Sequence, residues 1–174
     1  QTSMNCHKCS LIVLALILTS ACATPQGPVP LSGDVSEAKG WESESVMSGL
    51  ELPWAAAWLP GSPDTLLITE KPGRLKIAVN FSSVVDSVSG LPNFFVSGQG
   101  GLLDVSPHPD FQTNRYIYFT YASGSEDANR TTVGRARLIN NELVEFEEIF
   151  RVSDDKNDNQ HYGSRIQWLP DGTF

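Results

Sequence analysis

DVSPHPDFQTNRYIYFTY, residues 104–121, reads as an apolar strand ending in proline, a turn with acidic and polar residues, and a second apolar strand. The same outline occurs in AWLPGSPDTLLIT at 57–69 and begins again in QWLPDGTF at 167–174. Its marker prolines Pro60, Pro109 and Pro170 lie roughly 50 and 60 residues apart, near the ~40–50-residue period of four-stranded β-propeller blades. Proline followed by Asp or Gly is also ordinary between any two strands, so the outline alone leaves other all-β arrangements open.

The sequence around these copies is consistent with strands. Short apolar runs, β-branched or aromatic, are broken by Pro, Gly, Asn and Asp. WAAAWLP (54–60), TLLITE (65–70), RLKIAV (74–79), GLLDVSP (101–107), YIYFTYA (116–122), TVGRARLI (132–139), LVEFEEIF (143–150) and RIQWLP (165–170) are the predicted strands. NNE at 140–142 reads as a hairpin connection. No convincing helix is predicted after Trp41. The third copy of the outline breaks off at Thr173-Phe174, and a propeller needs several blades to close. The expectation is therefore an all-β chain holding about the first two blades of a longer propeller, over residues 41–174.

The 174 residues are 40% hydrophobic and 18% charged, enough apolar material for a core. Twenty acidic against 12 basic residues give a formal net charge of −8, with no basic cluster. Nucleic-acid binding, which needs cations against phosphates, is disfavoured.

The N-terminus reads as a targeting segment. Lys8 precedes the apolar run LIVLALIL (11–18) and then TSAC (19–22). Eight apolar residues cannot span a bilayer as a helix, which takes about 20, but they suit a signal-peptide core. Ser20 and Ala21 before Cys22 are similar to a lipobox, although Thr19 stands where a larger aliphatic is usual. Residues 1–22 are thus expected to be a signal peptide ending at a lipidation site, Cys22, with plain secretion as the alternative. CHKC at 6–9 has the spacing of half a zinc site, but no second half follows, and cleavage would remove it. Residues 23–40, rich in Pro, Gly and Ser, read as a flexible linker. The implied location is the bacterial cell envelope, in the periplasm and anchored through lipid.

Few residues can carry chemistry. His108 lies between two prolines in SPHPDF, where an imidazole can simply cap the turn. His161 follows the polar run SDDKNDNQ and directly precedes YGSR. An imidazole at the mouth of a propeller can accept a proton near neutral pH, and it can equally be a structural loop residue. GQGG at 98–101 places Gln99 between glycines, which permit close backbone approach or a plain turn. SDDKNDN at 153–159 offers oxygen ligands for calcium but lacks EF-hand spacing, and a solvated acidic loop is the simpler reading. Nucleotide-binding glycine loops, GxSxG and HExxH are absent.

LPWAAAWLPGSPDTLLITEKPGRLKI, GQGGLLDVSPHPDFQTNRYIYFTYA, TTVGRARL and HYGSRIQWLPDGTF, in this order over about residues 50–174, resemble the glucose/sorbosone dehydrogenase family of soluble quinoproteins. The resemblance implies a six-bladed β-propeller with pyrroloquinoline quinone (PQQ) on its axis and a calcium ion against the cofactor. It implies oxidation of the anomeric hydroxyl of an aldose to the lactone, with electrons passed on to an acceptor such as a quinone or cytochrome. His161 takes the place of the general base, and hydride goes from the sugar carbon to the quinone. Gln99, from the GQ[GN]G motif, and Gln160, beside the base, fall at cofactor- and substrate-contacting positions. Soluble glucose dehydrogenases carry an acidic residue where Gln160 stands, and a neutral amide raises a neighbouring base's pKa less than a carboxylate does. Arg165 fits the motif and reads as a residue bonding its neighbours. The calcium ligands and most cofactor contacts are expected beyond residue 174, so no metal ligand is assigned within this chain. Two other functions remain open: a non-catalytic propeller that binds sugar or protein, and a metal-dependent, lactonase-like hydrolase.

Overall fold

A computed structural model of the chain describes residues 40–81 and 85–174. The signal segment, Cys22 and the linker up to residue 39 lie outside the described residues. Two four-stranded antiparallel sheets follow each other along the chain, each with its strands in sequence order. The first holds β1 (Pro53–Leu59), β2 (Ser62–Glu70), β3 (Arg74–Val79) and β4 (Val85–Val88). The second holds β5 (Leu102–Pro107), β6 (Tyr116–Gly124), β7 (Asn129–Ile139) and β8 (Glu142–Arg151). A single-turn helix, α1 (Phe111–Asn114), joins β5 to β6. These are two consecutive up-and-down blades, as the all-β propeller reading expects.

Local chemistry sets the turns. Asn140 and Asn141 both have positive φ, 50° and 61°, between the paired residues Ile139 and Glu142. A two-residue hairpin of this hand favours Asn, because its short amide tolerates left-handed backbone. Lys71-Pro72-Gly73 closes the β2–β3 hairpin, where Gly73 donates to the Glu70 carbonyl at 2.9 Å. The core lies between the blades. Leu67, Leu75 and Val88 of the first meet Leu102, Val105, Ile117, Phe119, Tyr121 and Leu138 of the second, with Phe111 of α1. Each such side chain, fully buried, stabilises the fold by about 1.5–3 kcal/mol. β6 is buried over most of its length, which explains its nearly continuous apolar run, interrupted only by Thr120. β8 is largely exposed and is laced to β7 by Arg135–Glu147 and Arg137–Glu145.

Three local expectations are corrected. The turn after β5 contains α1, since one helical turn brings Phe111, 1% exposed, into the core. Arg115, in the left-handed region, ends it. β4 has too few apolar residues to stand out in the sequence, and it pairs with β3 from Leu75↔Val88 to Ala78↔Val85. Residues 165–170 are not a strand. The Ile166 N–H goes to the Asp104 carboxylate at 2.7 Å, and Ile166 and Trp168 pack on Tyr118 and Val133. The turn that follows closes with Gly172 donating to Leu169.

Candidate active site

Two irregular segments build the site, and each is fixed from below. The first is the 97–101 loop between β4 and β5. Gly98, at φ 53°, lies so close to Asn159 that a Cβ there would fall 2.4 Å from its side chain. At Gly101 a Cβ would fall 2.1 Å from the Lys71 carbonyl. These two of the three glycines in the GQGG motif thus let the loop press on the β2–β3 turn on one side and on residue 159 on the other. Lys71 strengthens this seam, accepting from Leu102 N–H and donating its ammonium to the Gly98 carbonyl. The turn itself is pinned by Glu70, almost fully buried, which accepts from the Glu51 N–H and from Arg74. Burial pushes the Glu70 carboxyl up, but those hydrogen bonds and the Arg74 charge outweigh it and hold it below the ordinary glutamate value.

The second segment runs from 152 to 166. Asn159 and His161 meet the first loop directly. Gln99 N–H donates to the Asn159 carbonyl at 2.8 Å, and His161 N–H donates to Gln99 Oε1 at 2.9 Å. Asn159 Nδ2 reaches Ser97 Oγ at 3.2 Å. His161 has φ 56°, an uncommon conformation for a non-glycine residue that costs roughly 1–2 kcal/mol. Tyr162 anchors the next position, with its ring buried against Leu103 and Ala122 and its hydroxyl donating to Asn129 Oδ1 at 2.7 Å. Burial, with the Asp158 charge, pushes that phenol up. The Lys156 ammonium lies 3.6 Å above the ring centre, a cation–π contact that covers its outer face. Thr131 Oγ1 donates to the Tyr162 carbonyl. At the far end, the buried Asp104 carboxylate takes both Arg165 Nη1 and Ile166 N–H, each at 2.7 Å. Alternating side chains along 161–166 are thereby tied down, and the exposed ones face outward.

The outward side chains line a cavity of about 450 Å³ bounded by Trp54, Gln99, His161, Tyr162, Gly163, Ser164 and Arg165. Gln99 and His161, chosen separately from the sequence, therefore share one cavity. Gln160 does not line it. Its N–H caps the turn by donating to Asp158 Oδ1 at 3.0 Å, and this hydrogen bond, more than any charge, lowers the Asp158 carboxyl. His108 takes the bland role: its Nδ1 accepts the Asp110 N–H at 2.9 Å, and its ring packs edge-on against Trp168. In the 153–159 run, Asp155 pairs with Arg130 and Asp158 with Lys156. Among the described residues no group of three or more His, Cys, Asp or Glu is placed to hold a metal ion.

Two contributors to the site were not foreseen. Asp104 is hidden in the apolar-looking strand GLLDV, and only its being charged at an inward position signals a partner. Trp54 reads in the sequence as one of a pair of strand aromatics. Nothing there shows that it faces the cavity.

Comparison with known proteins agrees with this arrangement. The family model described as Glucose / Sorbosone dehydrogenase matches residues 50–174. An uncharacterised protein of Synechocystis sp. is 44% identical over 137 residues, 74% of this chain and 33% of that protein. Quinoprotein glucose dehydrogenase B of Acinetobacter calcoaceticus is 28% identical over 123 residues, 67% of this chain and 25% of that protein. The crystal structure of the soluble aldose sugar dehydrogenase of Escherichia coli, in its apo-form, superposes with a TM-score of 0.67 at 32% identity, covering 72% of this chain and 37% of that one. The chain spans about a third of the length of the curated relatives it matches. Family match, blade architecture and the paired Gln99–His161 geometry together place the chain in the glucose/sorbosone dehydrogenase family.

Proposed function

We propose that the protein oxidises the anomeric hydroxyl of an aldose to the lactone with PQQ as cofactor, and that His161 is the general base. The observation that carries this is the Gln99–His161 pair in one open cavity, in a chain whose relatives include a quinoprotein glucose dehydrogenase. The residues present suit a planar, polyanionic quinone. The cavity wall offers donors in Gln99 and Arg165, and Asp104, which holds Arg165, is buried and already paired. When bound, PQQ supplies the acceptor for the hydride that leaves the sugar carbon. A calcium ion against it would take ligands from outside these blades.

His161 removes the hydroxyl proton as the C–H bond breaks, so that no high-energy oxocarbenium is left protonated on oxygen. Its backbone is held by Gln99, whose Oε1 accepts the His161 N–H. A backbone N–H can only bond an acceptor, so the Gln99 amide must present Nε2 to the ligand. Gln99 therefore orients a substrate or cofactor oxygen by donating to it and leaves the proton to the base. Arg165 is held by Asp104 through Nη1, with remaining N–H groups free for an anionic ligand group. Secretion to the envelope, lipidation of Cys22 and an external quinone or cytochrome as electron acceptor complete the proposal.

The test is the full-length protein loaded with PQQ and Ca²⁺, with dye reduction followed across a panel of aldoses. Aldose-dependent reduction that needs PQQ is expected. A protein that binds no quinone and reduces no dye would reject the enzyme in favour of a binding propeller.

A further inference from the structure

Trp54 occupies the first of two irregular places in β1. Pro53 pairs with Glu70 and Ala55 with Thr69, so Trp54 is an extra residue in a β-bulge. Bulges turn a side chain out of the regular alternation, and they gather beside functional sites. The surroundings keep this one in place. The Thr69 hydroxyl, fully buried, accepts the Ala55 N–H at 3.0 Å and donates to the Leu103 carbonyl at 2.6 Å. That ties the bulge to β5. The turned indole lies 44% exposed in the wall of the cavity that holds Gln99 and His161. Its Nε1–H points to Ser164 Oγ at 3.4 Å, on the His161 segment, so its polar edge faces protein and its ring face is left to a ligand.

Tyr162, the other aromatic on the wall, cannot serve. Its ring is buried and capped by Lys156, and its hydroxyl is taken by Asn129. Among the described residues lining the cavity, Trp54 thus offers an open indole face beside polar groups and the His161 imidazole. An aldopyranose has the matching surface, with an apolar C–H face and a rim of hydroxyls. A side chain with two torsions and a large apolar area binds such a face at low entropic cost.

We propose that Trp54 is the platform on which the aldose ring stacks, presenting its hydroxyl edge to Gln99 and His161. This rests on the dehydrogenase reading above and adds the residue that holds the sugar.

Trp54→Ala and Trp54→Phe are made in the full-length protein. D-glucose binding to the cofactor-free form is followed by saturation-transfer NMR, PQQ binding by absorbance titration, and KM and kcat on the loaded form. Trp54→Ala should weaken glucose binding and raise KM about tenfold, with PQQ affinity within about twofold of wild type. Trp54→Phe, which keeps a ring, should recover most of the loss. Unchanged glucose binding in Trp54→Ala would overturn the platform. So would a loss of PQQ affinity with glucose binding intact, because the indole would then stack on the cofactor. A wild type that oxidises glucose while Trp54→Ala matches it sinks the platform alone. A wild type without activity sinks the dehydrogenase reading, and this inference with it.

Discussion

The side-chain oxygen of Gln99 accepts the backbone N–H of His161 at 2.9 Å across 62 residues of sequence. Gln99→Glu and Gln99→Leu separate the two ends of that amide. The carboxylate still accepts the N–H but removes the donor facing the ligand, and leucine removes both. Glu should keep slow hydrogen exchange at the His161 amide and lose roughly 10–100-fold in kcat/KM, the range of a lost hydrogen bond to a reacting group. Leu should lose the exchange protection as well. Equal protection in both variants would mean that Gln99 does not position the loop.

The left-handed backbone of His161 carries a cost that glycine would not. His161→Gly is expected to be more stable than His161→Ala by about 1 kcal/mol in denaturant melts, with both inactive. An alanine variant equal to or more stable than glycine would show that the segment does not hold φ near 56° in solution.

Asp104 joins β5 to the end of the His161 segment through Arg165 and Ile166. Asp104→Ala leaves a buried N–H without an acceptor, costing about 1–3 kcal/mol. Asp104→Asn keeps one acceptor oxygen and should cost less. Hydrogen exchange at Ile166 and Tyr162 reads the loosening directly, and it should track the stability order of the two variants.

Glu70 sets an acid limb of stability. Its carboxyl is held below the ordinary value of 4.5 in the folded protein. A depressed folded pKa contributes stability that is whole above the unfolded value and is lost as pH falls through the folded one. Wild-type melting temperature should therefore decline below about pH 4.5, and Glu70→Gln should flatten that limb while lowering stability at pH 7. A Gln variant with the wild-type acid slope would assign the limb to other carboxylates.

Much of this was legible in the sequence. The β2, β3, β6 and β7 runs carry their own strand signal, because apolar β-branched and aromatic residues sit between strong turns. Asn140-Asn141 fixes its hairpin by φ alone. Gln99 and His161 were visible because each stands in a glycine-marked motif. The misses have physical causes. β4 is short and polar and exists by pairing with β3. α1 arises from the need to bury Phe111. RIQWLP has the strand pattern but spends its backbone on a side-chain carboxylate. Gln160 adjoins His161 in sequence, and its backbone N–H goes to the Asp158 carboxylate in the preceding turn. The bulge that aims Trp54 depends on Thr69 from another strand, which no local pattern records.

The most direct test of His161 as base is rapid mixing of aldose with the PQQ-loaded full-length protein, wild type against His161→Ala, after PQQ affinity has been matched. The account predicts that cofactor reduction slows by about 10²–10⁴-fold in the variant while cofactor binding is retained. Cofactor reduction at the wild-type rate in His161→Ala would contradict it.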